Sequence, residues 1–554
     1  MVRILLVSFG SEWHNDVWNV LAIESLVGDL EGYFGNNIQI STFRFYTEDD
    51  IDSMFSDNNL LDYHLIGCSV EIGTHKILDY FLIKLFQNGY SNNLVLGGIL
   101  ATYAYDYLIN IQSVKILKPI FIIGEGEIAL RNLVNCIINN SINLYESEPN
   151  TFQYNNKVSK YVMNEVVTVD LSLLQYSPKP IVYSNSVNSI RIIQTSRNCV
   201  FNCTYCSQGP KKMWRTFSYK RIKGDLEIFI KAGTLEFEFV DDEFFGGNEV
   251  YNIDRAWKIC DIIEELIRKY NCNIKFRIFT NPHIISSKNV GTNNIDFVSI
   301  LNRLKDLGLS RVYLGVESGS LKQRKRYNRS DTIEECLSAI TILENLNIEV
   351  DVGFIMFDPE VTLEDISDNI DFIQKNNLLK YNTWPLRPMI LTAHTPMYIR
   401  AQKLGLITKR NQYNIASFEY VYQNFEIAMI YERINSIADS TAKVFYILKY
   451  IYKNNFYNSS YIDEVKDICM FLIENATINF DCIKNMIMHF NSGNNLITNL
   501  NEDTRNAFFF FFWLLDLIEE KSNSFKLFDS IYDKLNDAIV QSKESIAKEI
   551  NQFN

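Results

Sequence analysis

The 554-residue chain has little cysteine for its length, ten residues in all. That is too sparse for the disulfide frameworks that hold small secreted domains together. No run of about 18 apolar residues occurs, so no membrane-spanning helix is expected. The greasiest stretch, Ala507–Leu515 with its five phenylalanines, is half that length and reads as a buried helix. No secretory signal is expected in the first residues. The apolar run Met1–Val7 stops at Ser8-Phe9-Gly10 and passes into charged sequence, so it reads as a first strand. There is no excess of positive charge. Lys plus Arg number 53 against 66 Asp plus Glu, a net charge of −13. That balance argues against a protein that coats DNA or RNA. No tandem repeat is visible. With 47% hydrophobic and 21% charged residues, the composition is globular and not disordered. At roughly 100–200 residues per domain, the length implies three to five domains. The expected setting is a reducing cytoplasm.

The first third alternates strand-like and helix-like segments. Strands are expected at Arg3–Ser8, Ile38–Phe45, His64–Ser69, Leu94–Leu96 and Pro119–Ile123. Helical apolar spacing marks Asp16–Leu30, Ile77–Gln87 and a segment after Glu127 reaching about Ile137. This alternation implies an α/β domain with a doubly wound, Rossmann-like parallel sheet over residues 1–140. Such sheets bind ligands beyond the carboxyl ends of their strands. Gly97-Gly98 and Gly124-Glu125-Gly126-Glu127 stand at those ends, where glycine lets backbone approach a bulky ligand. Residues 141–185, polar and carrying Pro149, Pro178 and Pro180, read as a connector. A second βα region, a partial (β/α) barrel, is expected over 186–396. Its strands are Ser189–Thr195, Phe237–Val240, Lys275–Phe279, Arg311–Val316 and Val350–Phe354. Residues 397–554 show helical periodicity, as in Ile427–Lys449 and Tyr461–Glu474, and read as a helical C-terminal domain that selects the substrate. Its aromatics, among them Phe418, Tyr420, Tyr422, Phe508–Phe512 and Trp513, are expected mostly in the core.

The strongest chemical signal is Cys199-Val-Phe-Asn-Cys203-Thr-Tyr-Cys206, three thiols within eight residues just after a strand. Soft thiolates select iron–sulfur clusters, zinc or copper(I). A structural zinc site wants a fourth ligand, and no Cys or His follows within several residues. The spacing, preceded by Gln194-Thr195-Ser196-Arg197, resembles the radical S-adenosylmethionine (SAM) superfamily. The resemblance implies a [4Fe–4S] cluster on Cys199, Cys203 and Cys206, with SAM chelating the fourth iron and Tyr205 in the aromatic slot. It also implies contacts to SAM from Asp242 and Glu243 in Phe239–Gly247, and from Thr280 at the end of another strand. Glu317 and Ser318 in Val312–Ser320 are implied as further SAM contacts. Gly353–Glu360 resembles the motif lining the adenine side, but departs from its commoner Gly-x-Pro-Gly-Glu form. The basic stretch Lys322–Arg326, with Arg329, reads as a solvated segment carrying SAM-orienting cations and not as an RNA site.

Placed ahead of such a domain, the glycine-rich region resembles the cobalamin-binding domain of B12-dependent radical SAM enzymes. The resemblance implies that Ser69, Val70 and Glu71 lie near the nucleotide tail of cobalamin. Gly97, Gly98, Gly124, Glu125, Gly126 and Glu127 would flank the tail and the corrin edge. The Asp-x-His-x-x-Gly motif of many B12 proteins is replaced by Glu12-Trp13-His14-Asn15-Asp16-Val17, so a loop role for His14, with cobalt lacking a protein base, is the expectation.

The activity implied is methyl transfer to an unactivated carbon of a peptide or small-molecule natural product, through a 5′-deoxyadenosyl radical and methylcobalamin. Alternatives are a radical rearrangement or cyclization, or a peptide modification, without methyl transfer. A non-catalytic sensor of SAM or B12 is a third. An external one-electron reductant of flavodoxin or ferredoxin type is the implied partner; neither nucleic acid nor membrane is. The other cysteines, Cys68, Cys136, Cys260, Cys272, Cys336, Cys469 and Cys482, are scattered and read as ordinary buried thiols, not an auxiliary cluster.

Overall fold

A computed structural model describes residues 1–10, 20–57, 60–181, 190–207, 213–247, 250–286, 297–381, 386–435, 444, 477–492, 515–516 and 529–552. The chain divides into two compact units. One comprises Met1–Leu314, Asn328–Val350 and Ile390–Glu419; the other comprises Gly315–Tyr327, Asp351–Met389 and Tyr420–Asn554.

The first unit begins with a seven-stranded sheet. Its strands are β1 (Val2–Phe9), β2 (Ile38–Phe45), β3 (Leu65–Ser69), β4 (Asn93–Gly97), β5 (Ile120–Ile122), β6 (Thr151–Asn155) and β7 (Lys160–Met163), in the order β2-β1-β3-β4-β5-β6-β7. β1 to β5 pair in parallel. β1 is apolar nearly throughout because both of its faces are covered. Successive residues point to opposite faces. Ile4 and Leu6 pack with Val27 and Leu30 of helix Leu21–Phe34 and with Leu133 of helix Glu127–Ile138. Leu5, Val7 and Phe9 pack with Leu78 and Phe81 of helix His75–Gln87. The sheet is therefore doubly wound, and the strand order reverses between β1 and β3, the place where such sheets hold ligands.

Residues 151–163, expected in a connector, instead form β6 and β7, which extend this sheet antiparallel. Phe152, Tyr161 and Met163 add to its core. Burial of one face is what makes this otherwise polar stretch a hairpin.

A second sheet has the order β14-β13-β12-β11-β8. Its strands are β8 (Arg191–Ile193), β11 (Glu236–Phe239), β12 (Lys275–Thr280), β13 (Leu309–Glu317) and β14 (Glu349–Phe354). β8, β11, β12 and β13 pair in parallel, and helices such as Val250–Tyr270 separate the strands. This is the expected partial (β/α) barrel. Two short strands, β9 (Ser196–Arg197) and β10 (Arg215–Thr216), pair antiparallel beyond the end of β8. A buried pair, Glu24 with Arg191 at 2.7 Å, joins helix Leu21–Phe34 to β8.

The region after residue 396 is not helical throughout. β15 (Leu391–Thr392), β16 (Ile407–Arg410) and β17 (Ser417–Tyr420) form a small sheet in the order β15-β17-β16. Residues 425–435 and the segments Thr477–Ser492 and Asp529–Gln552 are helical. Phe418 packs on Tyr398 in the first unit, and Tyr420, Tyr422 and Tyr431 cluster in the second, as core aromatics should. Phe508–Phe512, Trp513, Cys469, Tyr461–Glu474 and most of Ile427–Lys449 lie outside the described residues, as does His14. Among the described residues, no helix is long and apolar enough to cross a membrane.

Candidate functional site

The three cysteines sit on a loop whose base is closed by β9 and β10, with Arg215 opposite Arg197. Cys199, Cys203 and Cys206 are reduced thiols, Cys203 the most buried. The loop turns tightly: the Cys206 N–H donates to the Cys203 carbonyl at 3.2 Å, and the Phe201 N–H to Cys199 Sγ at 3.5 Å. Arg329, itself buried, directs one guanidinium nitrogen at Cys203 Sγ (3.7 Å) and the Tyr205 hydroxyl (3.3 Å), while its Nε bonds Asp331 at 2.7 Å. Burial pushes the Cys199 thiol up, and the charges of Glu243, Cys203 and Cys206 add to this. A cation bound through the sulfurs offsets that penalty, since coordination takes the thiolate form. Arg329 favours thiolate at Cys203 in the same way. The donor set thus suits a thiolate-bound cluster. Among the described residues, no three His, Cys, Asp or Glu side chains converge as ligands of one ion would.

Three consecutive acids at the carboxyl end of β11 hold this loop and its neighbours. Asp241 is buried and accepts from the Thr195 N–H (2.7 Å), the Ser196 N–H (2.6 Å) and the Thr195 hydroxyl. Arg255, fully buried, donates to the Phe244 carbonyl at 2.7 Å and to the Thr195 hydroxyl, and lies over the Trp214 ring. Asp242 accepts from the Asn198 N–H at 3.0 Å. Glu243 accepts from the Thr280 hydroxyl (2.6 Å), the Asn281 N–H (2.7 Å) and the Phe245 N–H (3.2 Å). Burial nonetheless pushes its carboxyl up to about 7. Asp242, Glu243 and Thr280, expected as SAM contacts, are thus engaged in fixing the cysteine loop and the end of β12.

The glycine-rich edges line two cavities. A cavity of about 290 Å³ lies over the carboxyl ends of the first sheet, walled by Ser69, Gly97, Gly98, Gly124, Gly126 and Leu26 among others. Gly98 has φ +91°, and a Cβ there would lie 2.9 Å from the Val70 backbone, so glycine is required. A second cavity of about 490 Å³ shares Gly124 and Glu125 with the first and adds Thr102, Tyr103, Asn198, Cys206, Ser207, Arg215 and His394. One space therefore touches both the cysteine loop and the rim of the first sheet. Glu125 and Glu127 line these cavities but are already paired. Glu127 binds Arg197 at 2.5 Å, and Glu125 binds Arg215 at 2.5 Å with Arg197 at 3.6 Å.

Several expected residues stand elsewhere. Val70 is fully buried in the core, and its backbone brackets Gly98 instead of facing a cavity. Glu71 pairs with Arg44 at 3.3 Å. In the second unit, Glu317 takes a left-handed backbone (φ +69°), and its carbonyl accepts from the Ile355 N–H at 2.8 Å. Ser318 is wholly buried and bonds Gln323 (2.6 Å) and Asn369 (2.9 Å). Its hydroxyl fixes the turn after β13 and is not open to a ligand. Sequence reasoning quoted Arg197 only as part of the motif and gave no role to it or to Arg215, Thr102, Tyr103 or His394. Arg197 carries a local signal, lying two residues before the first cysteine; the others converge only in the fold.

Residues 193–373 match the radical SAM superfamily, and this part of the chain is a radical SAM domain. 4′-Phospho-dehydrooxetanocin synthase of Priestia megaterium is 27% identical over 341 residues, covering 58% of this chain and 44% of that protein. The chain thus spans less than half the length of this relative. The solved structure of OxsB, a cobalamin-dependent S-adenosylmethionine radical enzyme with aqua-cobalamin and S-adenosylmethionine bound, is similar with a TM-score of 0.78 and 18% identity. That match covers 99% of this chain and 84% of OxsB. The radical S-adenosylmethionine methyltransferase TsrM of Kitasatospora setae, solved with tryptophan substrate and aza-SAM, gives a TM-score of 0.54 and 14% identity over 74% of this chain and 77% of TsrM. At these identities the likeness to OxsB and TsrM is one of fold, and the α/β architecture read from the sequence is theirs.

Proposed function

We propose that the chain is a cobalamin-dependent radical SAM enzyme that transfers a methyl group to an unactivated carbon of a peptide or small-molecule natural product. The observation that carries this reading is the larger cavity, where Cys206 and Ser207 face the same space as Gly124 and Glu125. A group on the cysteine loop and a ligand on the rim of the first sheet would meet there. Cys199, Cys203 and Cys206 would hold a [4Fe–4S] cluster, residues 1–140 cobalamin, and residues 186–396 SAM. Within 141–185, expected as a connector, Thr151–Met163 belongs to the first sheet and the part after it would join the two; residues 397–554 would select the substrate. When bound, the cluster supplies an electron that cleaves SAM, and the corrinoid supplies the methyl group.

The protein's own part is positional and electrostatic. Arg329 favours thiolate at Cys203 and holds the Tyr205 hydroxyl. Asp241 and Arg255 fix the loop base so that the cysteines keep one geometry. Glu127 and Arg197 tie the glycine-rich rim to β9, two residues before Cys199. Electrons would come from an external one-electron donor.

A second reading, radical rearrangement or cyclization without methyl transfer, is favoured by one observation: the Priestia megaterium relative, matched over 341 residues, is named a synthase, whereas a Pyrococcus horikoshii relative matched over 190 residues is named a methyltransferase. The two differ in the fate of SAM. The test is anaerobic incubation of the reconstituted, corrinoid-loaded protein with SAM, a reductant and a peptide and small-molecule extract of cells as the source of the acceptor, with products above an extract-free control counted. Methyl transfer requires both 5′-deoxyadenosine and S-adenosylhomocysteine. Formation of 5′-deoxyadenosine alone supports the second reading, and formation of neither rejects both.

A further inference from the structure

His394 stands in the loop between β15 and helix Pro396–Lys403 with φ +67°, the left-handed region that favours glycine. Histidine tolerates this conformation better than bulkier residues, yet it is uncommon outside glycine and points toward function when the surroundings enforce it. Here they do. The Ala393 N–H bonds the Ala416 carbonyl at 2.9 Å. Thr395 caps the following helix through the Tyr398 N–H, and the Met397 N–H reaches the Thr204 carbonyl of the cysteine loop at 3.0 Å. Pinned on both sides, the imidazole lines the larger cavity and remains exposed. Its neighbours are rings: Tyr105 lies nearly parallel at 6.3 Å, and Tyr398 at 6.4 Å. Several other polar groups on these walls are engaged. Arg215 holds Glu125, the Tyr103 hydroxyl bonds the Ser207 carbonyl at 3.2 Å, and the Thr102 hydroxyl accepts from the Gly124 N–H at 2.9 Å.

We propose that His394 is a ligand-contacting residue of this cavity, presenting an imidazole nitrogen to the corrinoid that fills it. This rests on the cobalamin reading above. The backbone bonds of Ala393, Thr395 and Met397 fix where the ring stands, so little backbone freedom is lost on binding. His394→Gly removes the ring while suiting the left-handed backbone, so the fold is retained.

Two measurements test this on the full chain with hydroxocobalamin as the probe. Diethylpyrocarbonate labels accessible imidazoles, and peptide mass spectrometry locates them. Label at His394 should fall about fivefold once the corrinoid covers it, while label at His64, exposed on the far end of the first sheet, stays constant. The dissociation constant of hydroxocobalamin, followed by its visible spectrum, should rise about tenfold in His394→Gly. If the corrinoid binds stoichiometrically but His394 stays equally reactive, or if His394→Gly binds within about twofold of the unaltered chain, the role of His394 is overturned. If the unaltered chain binds no corrinoid, the cobalamin reading falls and takes this one with it, an outcome the spectrum distinguishes from the first two.

Discussion

The pair between Glu127 and Arg197 gives the sharpest energetic prediction. Their side chains are only 9% and 14% exposed. Burial pushes the Glu127 carboxyl up, but attraction and hydrogen bonding from Arg197, with help from its own backbone amide and Arg221, outweigh this and hold it below the ordinary 4.5. Removing one member of a buried pair leaves the other charge uncompensated and costs about 3–5 kcal/mol. Glu125, 3.6 Å from Arg197, supplies partial compensation. The expected cost of Glu127→Gln is therefore about 3 kcal/mol, the lower end of that range. A thermal melt of the anaerobic apoprotein at neutral pH should show a fall of about 3–5 °C. The double variant Glu127→Leu with Arg197→Met removes both charges and should lose less than either single change. A depressed carboxyl contributes stability above its unfolded value, and that contribution is lost as pH falls through its folded value. The gap between unaltered chain and Glu127→Gln should therefore close in acid, below 4.5. A neutral single variant, or a double variant whose loss equals the sum of the singles, refutes the reasoning.

Other changes have more local readouts. Arg329→Gln removes the cation at Cys203 and should weaken iron retention after reconstitution about tenfold, measured as iron per chain after gel filtration. Gly98→Ala forces a side chain into a left-handed backbone beside Val70. It should cost about 1–3 kcal/mol in urea unfolding and lower corrinoid uptake. Thr362 caps helix Leu363–Lys375 in a reciprocal box with Asp365. Thr362→Ala should cost about 1 kcal/mol in the same assay without touching cofactor content.

Much of the fold was legible because its elements are locally consistent. β1 and β3 are short, mostly apolar runs, and helix His75–Gln87 shows an apolar stripe, so local pattern located them. The cysteine triplet was legible because a thiolate site needs closely spaced sulfurs on one loop. The hairpin Thr151–Met163 escaped because it is an edge, apolar on one face only, and flanked by proline-bearing sequence. Glu125 and Glu127 were visible as part of a glycine-rich turn, but their pairing with Arg215 and Arg197 joins segments far apart in the chain. Asp242 and Glu243 were found as acids at a strand end, where position alone could not separate a ligand contact from a group that ties the cysteine loop. His394 had no local pattern, since its meaning comes from a left-handed backbone and from cavity walls brought together by folding.

The central claim is that one chain holds a thiolate-bound cluster and a corrinoid. It is tested most directly by anaerobic reconstitution with iron, sulfide and hydroxocobalamin, followed by iron and corrinoid analysis of the unaltered chain and of Cys203→Ala. The account predicts about four irons per chain together with stoichiometric corrinoid in the unaltered protein. In Cys203→Ala it predicts loss of the cluster and of SAM cleavage, with the corrinoid retained. Full SAM cleavage by Cys203→Ala, or an unaltered chain that is active without corrinoid, would contradict it.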